Sequence, residues 1–388
     1  MAASASAQNA MTSSPYSMFG LGEMASGLYG QNTSMAGVTV GMREGMLMNI
    51  ENPAGLTALD SCKLFSEASA FVKNERYRSD GSSSNAFTGN FSAFSLGGRI
   101  MRRWYMSAGV TPYSFVGYYF KSSQELEGSP GTFVTSTFSG TGGLSKAFLS
   151  QGFSLTKHLS VGMNLNFIFG NMTQNEIQSA MTVSREMSGR SFYADFGLQY
   201  HRPIARETFL TVGAIYGYKQ RISLKNTVTV TGSSTETPYN QKRVTQYLPQ
   251  YIGIGSSLAH KKWTYALDYL FRQYGVLNSS DSRVKFRDSH ELRLGVCYFP
   301  NGFSSSSYWK RMSYKAGVSV STPYLRLKGQ SGGAYRVSVG LGLPVLNGRI
   351  NTAFYYDRLQ LQGNALRRDI MGFTVTYTLS EKFYQVKL

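Results

Sequence analysis

No stretch of this chain approaches the roughly 18–20 consecutive apolar residues that a membrane helix needs. Cysteine is scarce. Cys62 and Cys297 are the only two, far apart in the sequence, which excludes a disulfide framework. The four histidines, His158, His201, His260 and His290, are scattered. They offer no metal-ligand spacing, and neither a metal nor a cofactor is expected. There is no Gly-x-Ser-x-Gly elbow, His-Glu-x-x-His pair, Walker loop or dinucleotide fingerprint. A general base must stand within hydrogen-bond reach of its nucleophile, and no pattern here marks such a pair, so the chain is not expected to be an enzyme. Acidic residues are also few: 21 Asp and Glu against 39 Lys and Arg leave a net charge of +18. The cations are not gathered on one helix, as nucleic-acid binding would favour. Many stand at expected turns: Arg102-Arg103, Arg202 with Arg206, Lys261-Lys262 and Lys310-Arg311. That placement suits anionic head groups or acidic partners.

What the chain does have is alternation. In Leu159–Phe169 the odd positions are Leu, Val, Met, Leu, Phe and Phe, while Ser160, Gly162, Asn164, Asn166 and Ile168 lie between them. Side chains of a strand alternate sides, so one face is apolar and the other mostly small or amide-bearing. Fourteen windows read this way: 63–78, 86–100, 103–121, 132–156, 159–172, 188–201, 207–230, 241–259, 262–275, 283–299, 311–328, 333–346, 349–358 and 371–387. An even count of long amphipathic strands predicts an all-β transmembrane antiparallel barrel. The mean hydropathy of −0.22 does not oppose this, because alternation hides a barrel's membrane signal. Aromatic residues, 14% of the chain, suit girdles at the two bilayer interfaces.

The N-terminal region differs. Residues 8–61 are rich in Gly and Met and alternate weakly. Gly allows tight turns and Met adapts to irregular apolar shapes, so this segment is expected to plug the barrel formed by residues 62–388. Phe19, Leu21, Met24, Met35, Met42, Met46 and Met48 are its candidate ligand lining, or equally its own core. Met1–Ala7, ending Ala5-Ser6-Ala7, reads as the tail of a secretory signal peptide.

Short connections near 101–103, 157–158, 201–206, 260–262 and 347–348, with a longer one at 300–310, alternate with polar loops at 79–85, 122–131, 173–187, 231–240, 276–282, 329–332 and 359–370. Outer-membrane barrels keep short turns on the periplasmic side, so both termini are expected there, in a Gram-negative outer membrane. Strand phase sends Asp195, Asp268, Glu291, Arg293, Lys315, Arg336 and Asp357 into the lumen as a polar network, because a cation facing lipid at mid-depth costs about 2–4 kcal/mol. The same phase also directs Gln199 inward. At the C-terminus, alternation slips at Ser380–Phe383, where a bulge is expected.

Asn52-Pro53-Ala54-Gly55-Leu56, just before the first strand, resembles the Asn-Pro-Ala motif of the FadL-type outer-membrane transporters of long-chain fatty acids and other hydrophobic compounds. Ser14–Gly22, Gly109–Ser114 with Gly117-Tyr118, Gly140–Lys146, and Leu159–Gly162 with Phe169-Gly170 resemble Bacteroidetes-type members of that family. The resemblance implies a fourteen-stranded barrel closed by an N-terminal hatch, with Asn52, Pro53 and Ala54 as the hatch motif. Pro restricts the residue before it, so the motif has a structural reading too: it sets the path from plug to first strand. The helical lid of fatty-acid transporters has no counterpart in the polar loop 122–131.

Two functions follow. One is passive uptake of small hydrophobic, fatty-acid-like molecules through the plugged lumen. The alternative is a non-transporting scaffold or adaptor in an outer-membrane secretion or barrel-assembly complex. The partners expected are outer-membrane lipid and lipopolysaccharide, a hydrophobic ligand and other envelope proteins, and no nucleic acid.

Overall fold

The computed structural model describes residues 14–25, 30–79, 82–125, 131–179, 181–232, 236–277, 284–300, 307–327, 329–362 and 366–382. Met1–Ala7, residues 8–13 and 26–29 of the expected plug, and residues 383–387 of the last window lie outside these residues. The chain forms one closed antiparallel barrel. Its strands are β1 (Lys63–Ser79), β2 (Ser82–Met101), β3 (Trp104–Glu125), β4 (Phe133–Ser154), β5 (Leu159–Gln178), β6 (Met181–Ala205), β7 (Thr208–Gly217 continued by Gln220–Thr231), β8 (Glu236–Leu248 continued by Tyr251–His260), β9 (Trp263–Arg272), β10 (Ser289–Tyr298), β11 (Ser313–Ser321), β12 (Gly332–Val345), β13 (Gly348–Leu361) and β14 (Arg367–Lys382). Closure comes from β14 pairing with β1, from Lys382↔Lys63 to Arg367↔Arg78. Each of the fourteen windows becomes one barrel strand, and closure pairs the first and last strands, which would otherwise be edges.

Phase follows the sequence. On β9, Trp263, Tyr265, Leu267 and Tyr269 are exposed outward, while Ala266, Asp268 and Leu270 are buried inside. On β10, Leu292 and Leu294 face out and Arg293 faces in. The outward row ends at the short-turn side in aromatic rings, with Trp263, Tyr298 and Tyr314 directly opposite one another on β9, β10 and β11.

Three local expectations are corrected. The polar loop expected at 173–187 is a hairpin: β5 and β6 stay paired up to Gln178↔Met181, with Ser179 at φ 53° in the turn. Its Thr, Gln, Asn, Glu and Ser residues make both faces of the hairpin polar. The C-terminal slip is no bulge, since β14 pairs with β1 without a register shift through Lys382; Glu381 and Lys382 are exposed at the end of the strand. Finally, Val284–Phe286 and Leu325–Leu327 do not extend β10 and β11. They pair with each other as a separate two-stranded sheet. Phe286, with its neighbour Tyr324, packs against the apolar cluster that includes Leu21, Tyr118, Leu144 and Ile168.

Candidate functional site

The described N-terminal residues lie against inward-facing side chains of the wall. Asn52 caps a 3-10 turn, Pro53–Ala58, by accepting the Ala54 N–H at 3.2 Å. Pro53 at the first turn position loses nothing, because its missing N–H would have had no partner in the turn. The Asn52 amide donates to the carbonyls of Val40 at 2.7 Å and Leu198 at 3.2 Å. One side chain thus ties two stretches of the segment to strand β6.

The wall makes room for this motif with glycine. Gly152, Gly162 and Gly197 stand directly opposite one another on β4, β5 and β6. A Cβ at Gly152 would come within 2.7 Å of the Pro53 carbonyl oxygen, one at Gly162 would strike the Pro53–Ala54 backbone, and one at Gly197 would strike the Asn52 side chain. A second pair, Gly213 and Gly255, faces Val40. A third, Gly295 and Gly317, faces Met35. Here the glycines are required by close approach, since any side chain would displace the segment.

Buried charge secures the same segment. Arg293 donates to Glu291 at 2.8 Å, to Glu51 at 3.1 Å and to the Gly37 carbonyl at 2.7 Å. Arg272 donates to Glu291 at 2.7 Å and lies 3.7 Å from Glu51. Two cations and two carboxylates therefore balance inside the barrel, as buried charges require. Asp268 accepts the N–H groups of Thr39 at 2.6 Å and Val40 at 2.8 Å, a backbone cradle for a carboxylate. Asp195 accepts from Asn164 at 2.5 Å and Asn166 at 2.7 Å. Gln199 donates to the Val40 and Met42 carbonyls, both at 3.1 Å. Lys315 reaches the Gln31 carbonyl at 3.5 Å. Arg336 and Asp357 bond each other at 2.5 and 2.8 Å. The seven inward charges thus form several local groups. Glu51 and Glu44 complete these groups from the N-terminal side, with Arg272 and Arg349 from the wall. Of these four, the two arginines carried a sequence signal, the inward phase that Arg272 shares with Asp268 and Arg349 with Asp357. Burial raises the Glu44 carboxyl pKa, but Arg349, 2.6 Å away, and Lys315 outweigh it and hold the group below the ordinary carboxylate range.

The apolar lining candidates do not share one pocket. Leu21, with Met24 packed beside it, belongs to the cluster of Tyr118, Leu144 and Ile168. Phe19 is half-buried just after the turn Pro15–Met18. Met35 and Met42 pack with Val38, Leu47 and Ala266. Met46 and Met48 pack with Leu56, Leu59, Phe65 and Tyr105. A lumen hollow beside Met24 measures about 100 Å³, and Glu51, Lys146, Asp195 and Arg272 are among its lining residues.

A seam interrupts the wall. β2 and β3 pair only from Met101↔Trp104 to Phe94↔Val110. Beyond that point comes Pro112, which has no N–H to give, and the register toward β4 shifts between Pro112 and Ser114. Alternation is then lost, and Ser114–Tyr118 are all buried. The Phe115 ring lies 6.3 Å from Phe71 of β1. The N-terminal residues cover the free edge of β3 from Tyr113 to Gly117. Glu23 and Met24 pair with Phe115 and Ser114, and Ala25 N–H donates to the Tyr113 carbonyl at 3.0 Å. The Ser17 hydroxyl donates to the Gly117 carbonyl at 3.1 Å and accepts the Gly117 N–H at 3.0 Å. Glu23 pairs with Arg368 of β14.

The family model BamG matches residues 1–387, nearly the whole chain. The chain belongs to the BamG family. Several solved structures resemble this BamG-family barrel. The toluene transporter TbuX of Ralstonia pickettii matches with a TM-score of 0.60 at 14% identity, over 91% of this chain and 98% of that one. The toluene transporter TodX of Pseudomonas putida matches at 0.61 and 16%, over 93% and 100%. A FadL homologue of Pseudomonas aeruginosa matches at 0.61 and 11%, over 93% and 100%. At these identities the likeness establishes the fold, and the resemblance to FadL-type transporters holds at that level: a fourteen-stranded antiparallel β-barrel. No curated protein matches the chain.

Proposed function

We propose that this BamG-family barrel is a closed, non-transporting scaffold in an outer-membrane secretion or barrel-assembly complex, with residues 8–61 as a fixed plug. The observation that carries the reading is how little space the described residues leave beside the N-terminal segment. Ligand clefts for drug-sized molecules measure roughly 300–1,000 Å³ and are mostly apolar. The hollow beside Met24 is about 100 Å³, and four charged residues, Glu51, Lys146, Asp195 and Arg272, stand among the tyrosines and aliphatic residues that line it. The Met and Leu residues that would line a ligand path instead fill three separate clusters. The basic short turns would then present cations to periplasmic partners, with the termini on the same side. The test is gentle extraction at native expression followed by native mass spectrometry. A stable assembly with other envelope proteins is expected. A lone barrel would overturn the reading.

Passive uptake of small hydrophobic molecules is the second reading, favoured by the β2–β3 seam and by relatives described as toluene transporters. In it, residues 14–25 are the movable part of the hatch. Proteoliposomes carrying a variant without these residues would then accumulate labelled toluene faster than those with the intact barrel. Equal rates in the two would count against it.

A further inference from the structure

At the short-turn end, a hollow of about 530 Å³ is lined by Lys262, Tyr298, Pro300, Trp309, Lys310 and Tyr314. Its back wall is the in-register row of Tyr298 and Tyr314, continued by Trp263, whose ring centroid lies 4.5 Å from that of Tyr298. Its front is the short helical turn Tyr308–Arg311. That turn is pinned to β11 by the Tyr314 hydroxyl, which donates to the Trp309 carbonyl at 3.2 Å, and this fixes where Lys310 stands. Trp309 is 69% exposed. An indole so open is costly in water but favoured at a bilayer interface, where the ring meets acyl chains and the N–H meets head groups. Lys262 and Lys310 are both exposed, and neither forms an ion pair among the described residues.

We infer that this hollow is a binding site for one anionic phospholipid, with Lys262 and Lys310 holding the phosphate and Trp309, Tyr298 and Tyr314 lying along the glycerol and upper acyl chain. A cation near a membrane surface attracts an anionic head group, and here two of them share one aromatic-walled recess. Short turns mark the periplasmic side of such barrels. The lipid is therefore a phospholipid of the inner leaflet and not lipopolysaccharide.

The test is native mass spectrometry of the full chain in detergent, titrated with phosphatidylglycerol, phosphatidylethanolamine or lipopolysaccharide. Folding of every variant is checked by heat-modifiable migration. One retained phosphatidylglycerol is expected, with Lys262→Gln/Lys310→Gln weakening it on the order of tenfold and Trp309→Ala weakening it less. Lys157→Gln/Arg206→Gln, which removes basic charge at other short turns, should leave retention unchanged. Equal loss in that control would reduce the effect to general rim charge and overturn the site. So would unchanged retention in the double lysine variant, preference for lipopolysaccharide, or displacement by inorganic phosphate at equal concentration.

Discussion

Residues 30–61 and residues 14–25 belong to one continuous N-terminal segment but are held by different physics. The first stretch is fastened in depth. Glycine rows admit its backbone, Asn52 bonds two carbonyls, and Glu51 and Glu44 meet buried arginines. The second is fastened along an edge. Ser17, Glu23 and Ala25 supply what β3 loses when its pairing with β2 stops at Val110. A buried charge left without its partner costs more than a neutral hydrogen bond does. The two stretches should therefore loosen separately, with the edge first.

The strongest way to break the comparison is Arg293→Met. It leaves Glu291 and Glu51 with Arg272 alone between them, and removing one partner of a buried pair costs about 3–5 kcal/mol. Thermal unfolding followed by heat-modifiable migration should show a large loss, and 30–61 should become open to protease. Gly197→Val comes next. It drives a side chain into Asn52, and overpacking of this kind costs roughly 1–3 kcal/mol. Protection of 30–61 should fall while the β2–β3 seam stays closed. Ser17→Ala is smaller, at about 0.5–1.5 kcal/mol per lost hydrogen bond. It should expose 14–25 to protease and leave 30–61 protected. If both stretches open together in Ser17→Ala, the segment is one unit and the comparison fails.

Acidification probes the deep anchor without changing a residue. The Glu44 carboxyl pKa is held below its ordinary value. Its contribution is therefore present above the unfolded-state pKa, about 4.3, and is lost as pH falls through the lower folded value. Glu44→Gln should weaken the anchoring of 30–61 at neutral pH and flatten its acid dependence, as read by protease protection against pH.

Much of the wall was legible before the structure. Period-two alternation in 159–169 or 263–271 states which side chains meet lipid, because neighbouring residues on a strand must point to opposite faces. The same rule sent Asp268 and Arg293 inward. It misread 173–187, where a paired hairpin with two polar faces looks like a loop. It also misread Val284–Phe286, whose three residues are too few to show that they pair with Leu325–Leu327 instead of extending β10.

From its own pattern, then, the sequence determined fourteen strands, their phase and the inward charges, since these depend on residues one or two positions apart. Only the tertiary structure decided that Gly152, Gly162 and Gly197 form one row under Asn52-Pro53-Ala54, that Glu51 meets Arg293 across 242 positions, and that residues 14–25 cover the free edge of β3. Those facts depend on strand register and barrel closure, which arise when the whole chain pairs with itself and which no local window contains.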